Sequence, residues 1–262
     1  MFHWRISLLL FKLIVFQNFV SKLPKLNSVS LSELDSVSLL NRIDSKFILN
    51  EDGLEKIFPC LLQNYSILEI DGCNFFTYEN NYFDTPDLQF YKDHHNGYLN
   101  RIKVRSRKYV ESNLCFFEIK KKEKVNRTSK YRTVLPGFIA TISDEQKAII
   151  QSFTRKNVPE IELILRNNFN RITLVDSLFT ERVTIDLNIH YINKNESFQL
   201  DKVAIIEIKQ SKTSHSSPLG NFLKENNFRE QSISKYIFGI ISLMPSIKKN
   251  NFLPLIKSVT NL

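Results

Sequence analysis

Charge alternates with grease along one run of the sequence: Arg101, Lys103, Arg105 and Arg107 are separated by Ile102, Val104 and Ser106. On a β-strand, alternate side chains point to opposite faces. The four cations therefore stack on one face, with neighbours about 6.5–7 Å apart. The pattern recurs. Phe116, Glu118 and Lys120 share a face opposite Phe117 and Ile119, and Lys130 shares one with Arg132. Arg182, Thr184, Asp186 and Asn188 lie opposite Val183, Ile185, Leu187 and Ile189, while Glu207 and Lys209 lie opposite Ile206 and Ile208. Arginine suits phosphate because its planar fork binds two oxygens at once. A glutamate isolated among cations suits a divalent metal that bridges phosphate oxygens.

A sheet with one wet and one packed face is the commonest cause of such alternation. Two features argue for more. Like charges on one face repel, so stability alone would mix the signs. The charged faces also repeat one composition, mostly Arg and Lys with an occasional Glu. A sheet curled into a closed barrel would turn these faces into a water-filled tunnel, with the apolar faces outward beneath helices.

The chain has 262 residues, 42% of them hydrophobic, and a formal net charge of +9. That is enough for one large core, and the basic excess suits an anionic partner. Nucleic acid is disfavoured. On the most basic strand the cations alternate with Ile, Val and Ser rather than with stacking aromatics, and no helix-turn-helix, RNP-like or finger spacing occurs. Neither G-x-G-x-x-G nor a P-loop is present. Cys60, Cys73 and Cys115 are odd in number and form no C-x-x-C pair, which fits a reducing, cytoplasmic setting.

The elements that must position these faces can be read from turn and cap signals. Ser30–Glu33 reads as a capping box opening a helix with Leu34, Val37, Leu39 and Leu40 on its apolar side. An extended segment over 41–50 and a helix over 51–62 disturbed at Pro59 follow, then strands over 66–70 and 75–83. Thr85-Pro86 reads as N-cap and first turn of a helix that stops at Gly97. Strands are expected over 98–110, 114–122, 128–135, 160–166, 171–175, 182–189 and 203–210, and helices over 143–153, 219–226 and 233–243. The fold class is α+β with a large, mostly antiparallel sheet. The helix opening at Ser234-Lys235-Tyr236 is expected on the sheet's apolar exterior through Ile237, Ile240 and Ile241. Lys235 would then reach a tunnel mouth, where a bound anion would satisfy the positive helix N-terminus.

Three segments are expected: a hydrophobic and basic leader over 1–29, the main domain over 30–245, and a loosely held basic tail over 246–262. Arg5 and Lys12 interrupt the apolar run of residues 1–20, so neither a signal peptide nor a spanning helix fits. A docking helix is the plainer reading and an interfacial membrane anchor the sharper one.

These motifs, in this order, resemble the VTC domain, the polyphosphate polymerase module of the vacuolar transporter chaperone complex. The resemblance runs through Asn41–Phe47, Tyr82–Tyr91, Arg101–Tyr109, Phe117–Lys120, Lys130–Arg132, Arg182–Asp186, Ile206–Lys209 and Ser234–Tyr236 before Gly239. It implies a triphosphate tunnel metalloenzyme, a closed eight-stranded antiparallel β-barrel with helices packed outside. It implies Lys46, Arg105, Arg107, Lys120, Lys130, Arg171, Arg182 and Lys235 as phosphate ligands, with Arg101, Lys103, Arg132 and Lys209 as further tunnel cations. Arg105, Arg107, Lys235 and Glu207 would serve turnover. Glu207 would carry Mn²⁺ or Mg²⁺, with Glu118 either a second metal ligand or a partner of Lys120. ATP and polyphosphate would be the substrates. Synthesis, hydrolysis on the same barrel, and non-catalytic polyphosphate binding all remain open at this stage.

Overall fold

The computed structural model describes residues 16–35, 42–124, 127–158, 160–211 and 217–262. The alternating segments become one mixed sheet whose main path runs β2 (Arg42–Leu49), β11 (Ala204–Ser211), β9 (Glu181–Ile192), β8 (Glu162–Asp176), β4 (Phe76–Asp84), β5 (Ile102–Tyr109), β6 (Leu114–Lys124) and β7 (Arg127–Leu135). Every pairing along this path is antiparallel. Short strands β1 (Asn27–Val29), β3 (Tyr65–Leu68) and β10 (Ser197–Leu200) add to its margins.

The sheet is strongly curled, but the expected closed barrel is an open half-barrel. Strands β2 and β7 end the path and do not pair with each other among the described residues. Both edges have a physical reason to stay apart. The Gln231 N–H donates to the Lys46 carbonyl at 2.7 Å, so another stretch of chain occupies the free edge of β2. Strand β7 carries Arg127, Lys130 and Arg132, all exposed, and charged edge residues oppose further pairing.

The convex face is packed as the alternation requires. Phe47, Leu49, Ile172, Leu174, Val183, Ile185, Leu187, Ile206 and Ile208 meet Phe19 of α1 (Gln17–Val20), Leu54, Ile57 and Leu61 of α3 (Glu51–Asn64), and Leu219 and Leu223 of α6 (Pro218–Glu225). Between α1 and α3 the chain forms α2 (Leu31–Asp35), opened by the Ser30–Glu33 capping box; the Glu33 N–H donates to Ser30 Oγ at 3.3 Å. Of its expected apolar side, Val37, Leu39 and Leu40 lie outside the described residues. On the other half of the sheet, Val104, Phe117 and Ile119 pack with Phe90 of α4 (Gln89–His95) and Ile150 of α5 (Asp144–Thr154).

Several expectations shift. Helix α4 begins at Gln89, not at Pro86; the Thr85 hydroxyl accepts from the Gln89 N–H at 2.8 Å, and the buried Asp84 carboxylate accepts from the Phe90 and Tyr91 N–H groups at 2.8 and 3.0 Å, so the two residues share the capping. It ends before Gly97, whose φ of 73° suits glycine. Strands expected over 160–166 and 171–175 are one strand, β8. Its asparagines read as a break, but they bond across the sheet: Asn167 Nδ2 donates to the His190 carbonyl at 3.1 Å, and Asn188 Nδ2 to Asn170 Oδ1 at 3.1 Å.

Helix α7 (Lys235–Leu243) lies inside the curl, not on its exterior. Ile237, Phe238, Ile240 and Ile241 pack against Ile48, Leu165, Phe169, Tyr191 and Ile205, which share the concave face with the charged residues. The apolar half of that face accepts a helix because one end of the trough is lined with grease. Gly239 permits the approach: a Cβ there would lie 2.6 Å from both Leu165 Cδ2 and Tyr191 Cδ1. The segment beyond Pro245 is not loosely held either. It forms α8 (Leu253–Thr260), with Leu255 and Val259 buried beside α7. Phe19 packs edge-on to Phe58, so the end of the leader docks on the body; residues 1–15 lie outside the described residues. No helix among the described residues is long and apolar enough to cross a membrane.

Candidate functional site

Strand register converts the sequence pattern into a single lined trough. Arg105 pairs with Tyr82 and Glu118, Arg107 with Asn80 and Phe116, and Lys103 with Lys120. Glu118 pairs with Arg132, and Lys120 with Lys130. At the other edge, Glu207 lies between Lys46 and Thr184, Lys209 opposes Arg182, and Arg171 opposes Asp186. Partners in register share a face, so all these side chains belong to the concave side.

One wall is built by β4 to β7. Arg105 Nε donates to Glu118 Oε2 at 2.5 Å, while Arg132 Nε and Arg107 Nε stand 3.6 and 4.0 Å from the same carboxylate. Arg107 Nε instead donates to Asn80 Oδ1 at 2.8 Å. Burial pushes the Glu118 carboxyl up, but Arg105 and Arg107 outweigh it and hold it at about 2. The cations bear the cost. Arg105 first, then burial, Arg107 and Lys130, hold the Lys120 ammonium well below the usual lysine range. Burial, helped by Arg101, Lys46 and Arg105, lowers Lys103 to about 7. Burial and the Arg105 charge also lower Arg107. This wall thus carries more positive charge than Glu118 can balance.

The facing wall comes from β2, β11, β9 and β8. Lys209 Nζ lies 2.9 Å from Glu207 Oε2, and Lys46 Nζ lies 3.5 Å from Oε1. Arg171 grips Asp186 with two bonds, 2.6 Å to Oδ1 and 2.8 Å to Oδ2. Lys235 Nζ donates to the same carboxylate and sits 4.5 Å from the centre of the Phe169 ring. Burial would raise both carboxyls. Arg171 and Lys235 hold Asp186 at about 2 instead, and Lys209, Lys46 and Arg171 drive Glu207 well below its usual range. Lys235 thus has a carboxylate of the chain itself, Asp186, as its partner.

The remaining cations sit toward the rims. Arg182 Nη2 donates to the Leu34 carbonyl at 2.8 Å, near α2. Arg101 precedes β5 and donates to the Tyr98 carbonyl at 2.9 Å. Lys130 and Arg132 lie on the exposed edge strand, where Arg132 stacks 3.6 Å from the centre of the Phe116 ring. Sequence reasoning gave no role to Asp186, Asn80, Tyr82 or Phe169. Alternation from Arg182 already put Asp186 on the charged face; the others needed the β4–β5 and β4–β8 registers. Glu118, expected as a metal ligand or as a partner of Lys120, pairs first with Arg105.

Among the described residues, no three His, Cys, Asp or Glu side chains converge into a metal cage. What the trough could offer an ion is a single carboxylate; the rest of the ion's shell would have to come from phosphate and water. Glu207 suits that role better than Glu118, since its partners are two lysines with single-point contacts, whereas three arginines crowd Glu118.

No curated protein matches the sequence. Similar solved structures include the PH1819 protein from Pyrococcus horikoshii, at 12% identity and a TM-score of 0.46, covering 77% of this chain and 99% of that one. A candidate adenylate cyclase from Vibrio parahaemolyticus shares 10% identity at a TM-score of 0.45, covering 76% and 97%. HpAC1 from Hippeastrum, described as having a dominant triphosphatase activity, shares 14% at 0.47, covering 77% and 95%. The family model of the VTC domain matches residues 41–244, a span that holds every residue of both walls and Lys235. The chain belongs to the VTC domain family.

Proposed function

We propose that the trough binds a triphosphate or polyphosphate chain along its cations and transfers the γ-phosphoryl group of ATP to the terminal phosphate of that chain. The observation that carries this reading is the unbalanced charge of the β4–β7 wall. Lys103, Arg105, Arg107 and Lys120 crowd one half-buried face that carries a single carboxylate, Glu118, and a polyanion would relieve that crowding. Family membership supports polyphosphate as the substrate class.

Phosphoryl transfer asks a protein mainly for alignment and positive charge. An oxygen of the terminal phosphate attacks the γ-phosphorus of ATP; the bond to the β-phosphate oxygen breaks, and ADP leaves with the electron pair. The attacking oxygen is already ionised at neutral pH, so no general base is needed. Arg105 and Arg107 spread positive charge over the equatorial oxygens, and Lys46, Lys209 and Lys235 exchange carboxylate partners for phosphate. Glu207 is the residue that would hold Mn²⁺ or Mg²⁺. Such an ion would supply positive charge to offset that of the phosphate oxygens.

The test is incubation of purified protein with ATP and Mn²⁺ or Mg²⁺, with phosphate products resolved on a gel. A ladder of chains longer than triphosphate is expected. Release of orthophosphate alone assigns the trough to hydrolysis, and binding without turnover assigns it to sequestration.

A further inference from the structure

Three consecutive residues at the start of α7 are tied to three different strands. Ser234 Oγ accepts from Lys103 Nζ of β5 at 3.0 Å, Lys235 Nζ donates to Asp186 of β9, and the Tyr236 hydroxyl donates to Asp84 of β4. The first two contacts lie within the cation lining. The third lies outside it and is built as an anchor. Asp84 is fully buried at the end of β4, and its carboxylate also takes the N–H groups of Thr85 at 2.7 Å, Phe90 at 2.8 Å and Tyr91 at 3.0 Å. The Thr85 hydroxyl adds a fifth contact at 3.4 Å; all five donors are neutral, so the carboxylate is fixed by β4 and the first turn of α4 rather than by a charge partner. Tyr236 is itself buried, with its ring 5.3 Å from that of Tyr82.

Helix α7 has apolar contacts enough to dock without this bond, since Ile237, Phe238, Ile240, Ile241 and Leu243 are all buried. Apolar packing, however, sets rotation and register poorly. A buried polar tie fixes one arrangement at a cost in desolvation. One turn of error in α7 would carry Lys235 off Asp186 and Ser234 off Lys103.

We infer that the Asp84–Tyr236 hydrogen bond is a positioning contact that holds Lys235 and Ser234 in the cation lining, so that neither Asp84 nor Tyr236 touches phosphate yet both set its affinity. This rests on the phosphate reading above. It is tested with the full chain in two ways. The first needs no ligand: the rate at which an amine-reactive reagent labels Lys235, mapped by peptide mass spectrometry. Lys235 is expected to label slowly in the unaltered protein and severalfold faster in Tyr236→Phe, which keeps the ring but loses the donor. The second is calorimetric titration with inorganic triphosphate. Tyr236→Phe should weaken binding by about fivefold to tenfold, and by much less in a Lys235→Ala background, since contacts acting through one another are not additive. Thermal melting checks that each variant is folded. If Tyr236→Phe does not fold, Asp84→Asn removes the charge that holds the phenol and should give the same two results. An unchanged labelling rate, or an equal loss of affinity with and without Lys235, overturns the inference. If the unaltered protein does not bind triphosphate, the phosphate reading fails, and the labelling rate still decides whether the tie positions Lys235.

Discussion

The two walls of the trough carry similar cations but are balanced differently. On the β4–β7 wall, Glu118 is the carboxylate beside Arg105, Arg107 and Lys120, with Lys103 next along the face, and three of these four cations are held below their ordinary pKa ranges. On the β2–β11–β9–β8 wall, Glu207 and Asp186 meet Lys46, Lys209, Arg171 and Lys235 in short pairs. Asp186 alone takes Arg171 and Lys235. The difference suggests a division of labour. On the proposed function, the first wall would store repulsion that an anion relieves, and so supply affinity. The second would keep its cations aligned by internal carboxylates that a phosphate chain must displace, and so supply order.

Breaking the balanced wall should have the largest effect. Asp186→Asn keeps the shape but leaves Arg171 and Lys235 buried without their counter-charge. Removing one partner of a buried pair typically costs about 3–5 kcal/mol. For a chain of this size that is a fall in melting temperature of roughly 10 °C, partly restored by triphosphate, which would replace the missing charge. A native-like melting temperature would mean that the second wall is not held by its ion pairs. Arg107→Ala on the first wall should leave the melting temperature unchanged or raise it, because it removes a repelled cation.

A smaller effect is expected where α7 meets the trough. Gly239→Ala puts a methyl group 2.6 Å from Leu165 and Tyr191 side-chain carbons, so the helix must shift. Overpacking of this kind costs about 1–3 kcal/mol. Thermal melting measures the cost, and weakened triphosphate binding would show that the shift reaches Lys235.

The smallest effect is on pH dependence, and it runs in one direction on both walls. Lys103 titrates near 7 in the folded chain against an ordinary value of 10.5. Between those values the unfolded chain binds more protons, so this group makes stability rise with pH there. Lys120, Lys209 and Lys235 are lowered as well and act in the same direction. Glu118 and Asp186, held at about 2, add stability above their ordinary values of 4.5 and 3.8 and lose it as pH falls toward 2. Triphosphate should draw a proton onto Lys103, so its affinity should fall as pH rises from about 7. Titrations across buffers of different ionisation enthalpy would measure that uptake. An affinity flat from pH 7 to 10 would remove Lys103 from the contact set.

The sequence made the strands and their charged faces legible because period-two alternation survives in isolation. Arg105, Glu118, Lys130, Arg182 and Glu207 share the concave side, as the alternation implied. Closure was not legible: whether β2 meets β7 depends on Gln231 reaching the Lys46 edge from far along the chain. The placement of α7 was misread for a similar reason. Its grease fits either an exterior or a trough end, and only the register of Ile48, Leu165 and Ile205 shows which end is apolar. Asp84 was hidden because Thr85-Pro86 is the stronger local helix signal; Thr85 does accept from Gln89, but the Phe90 and Tyr91 N–H groups go to the residue before it.

The central claim is that the concave cations are a phosphate site whose affinity comes mainly from the unbalanced wall. The most direct measurement is the affinity for inorganic triphosphate of the unaltered protein, of Arg107→Ala, and of Lys147→Ala on α5 as a control outside the trough. The account predicts binding that weakens with salt. It predicts a loss of about 1.5–3 kcal/mol in Arg107→Ala, roughly tenfold to a hundredfold in affinity, and no change in Lys147→Ala. Equal affinity in all three proteins would contradict it.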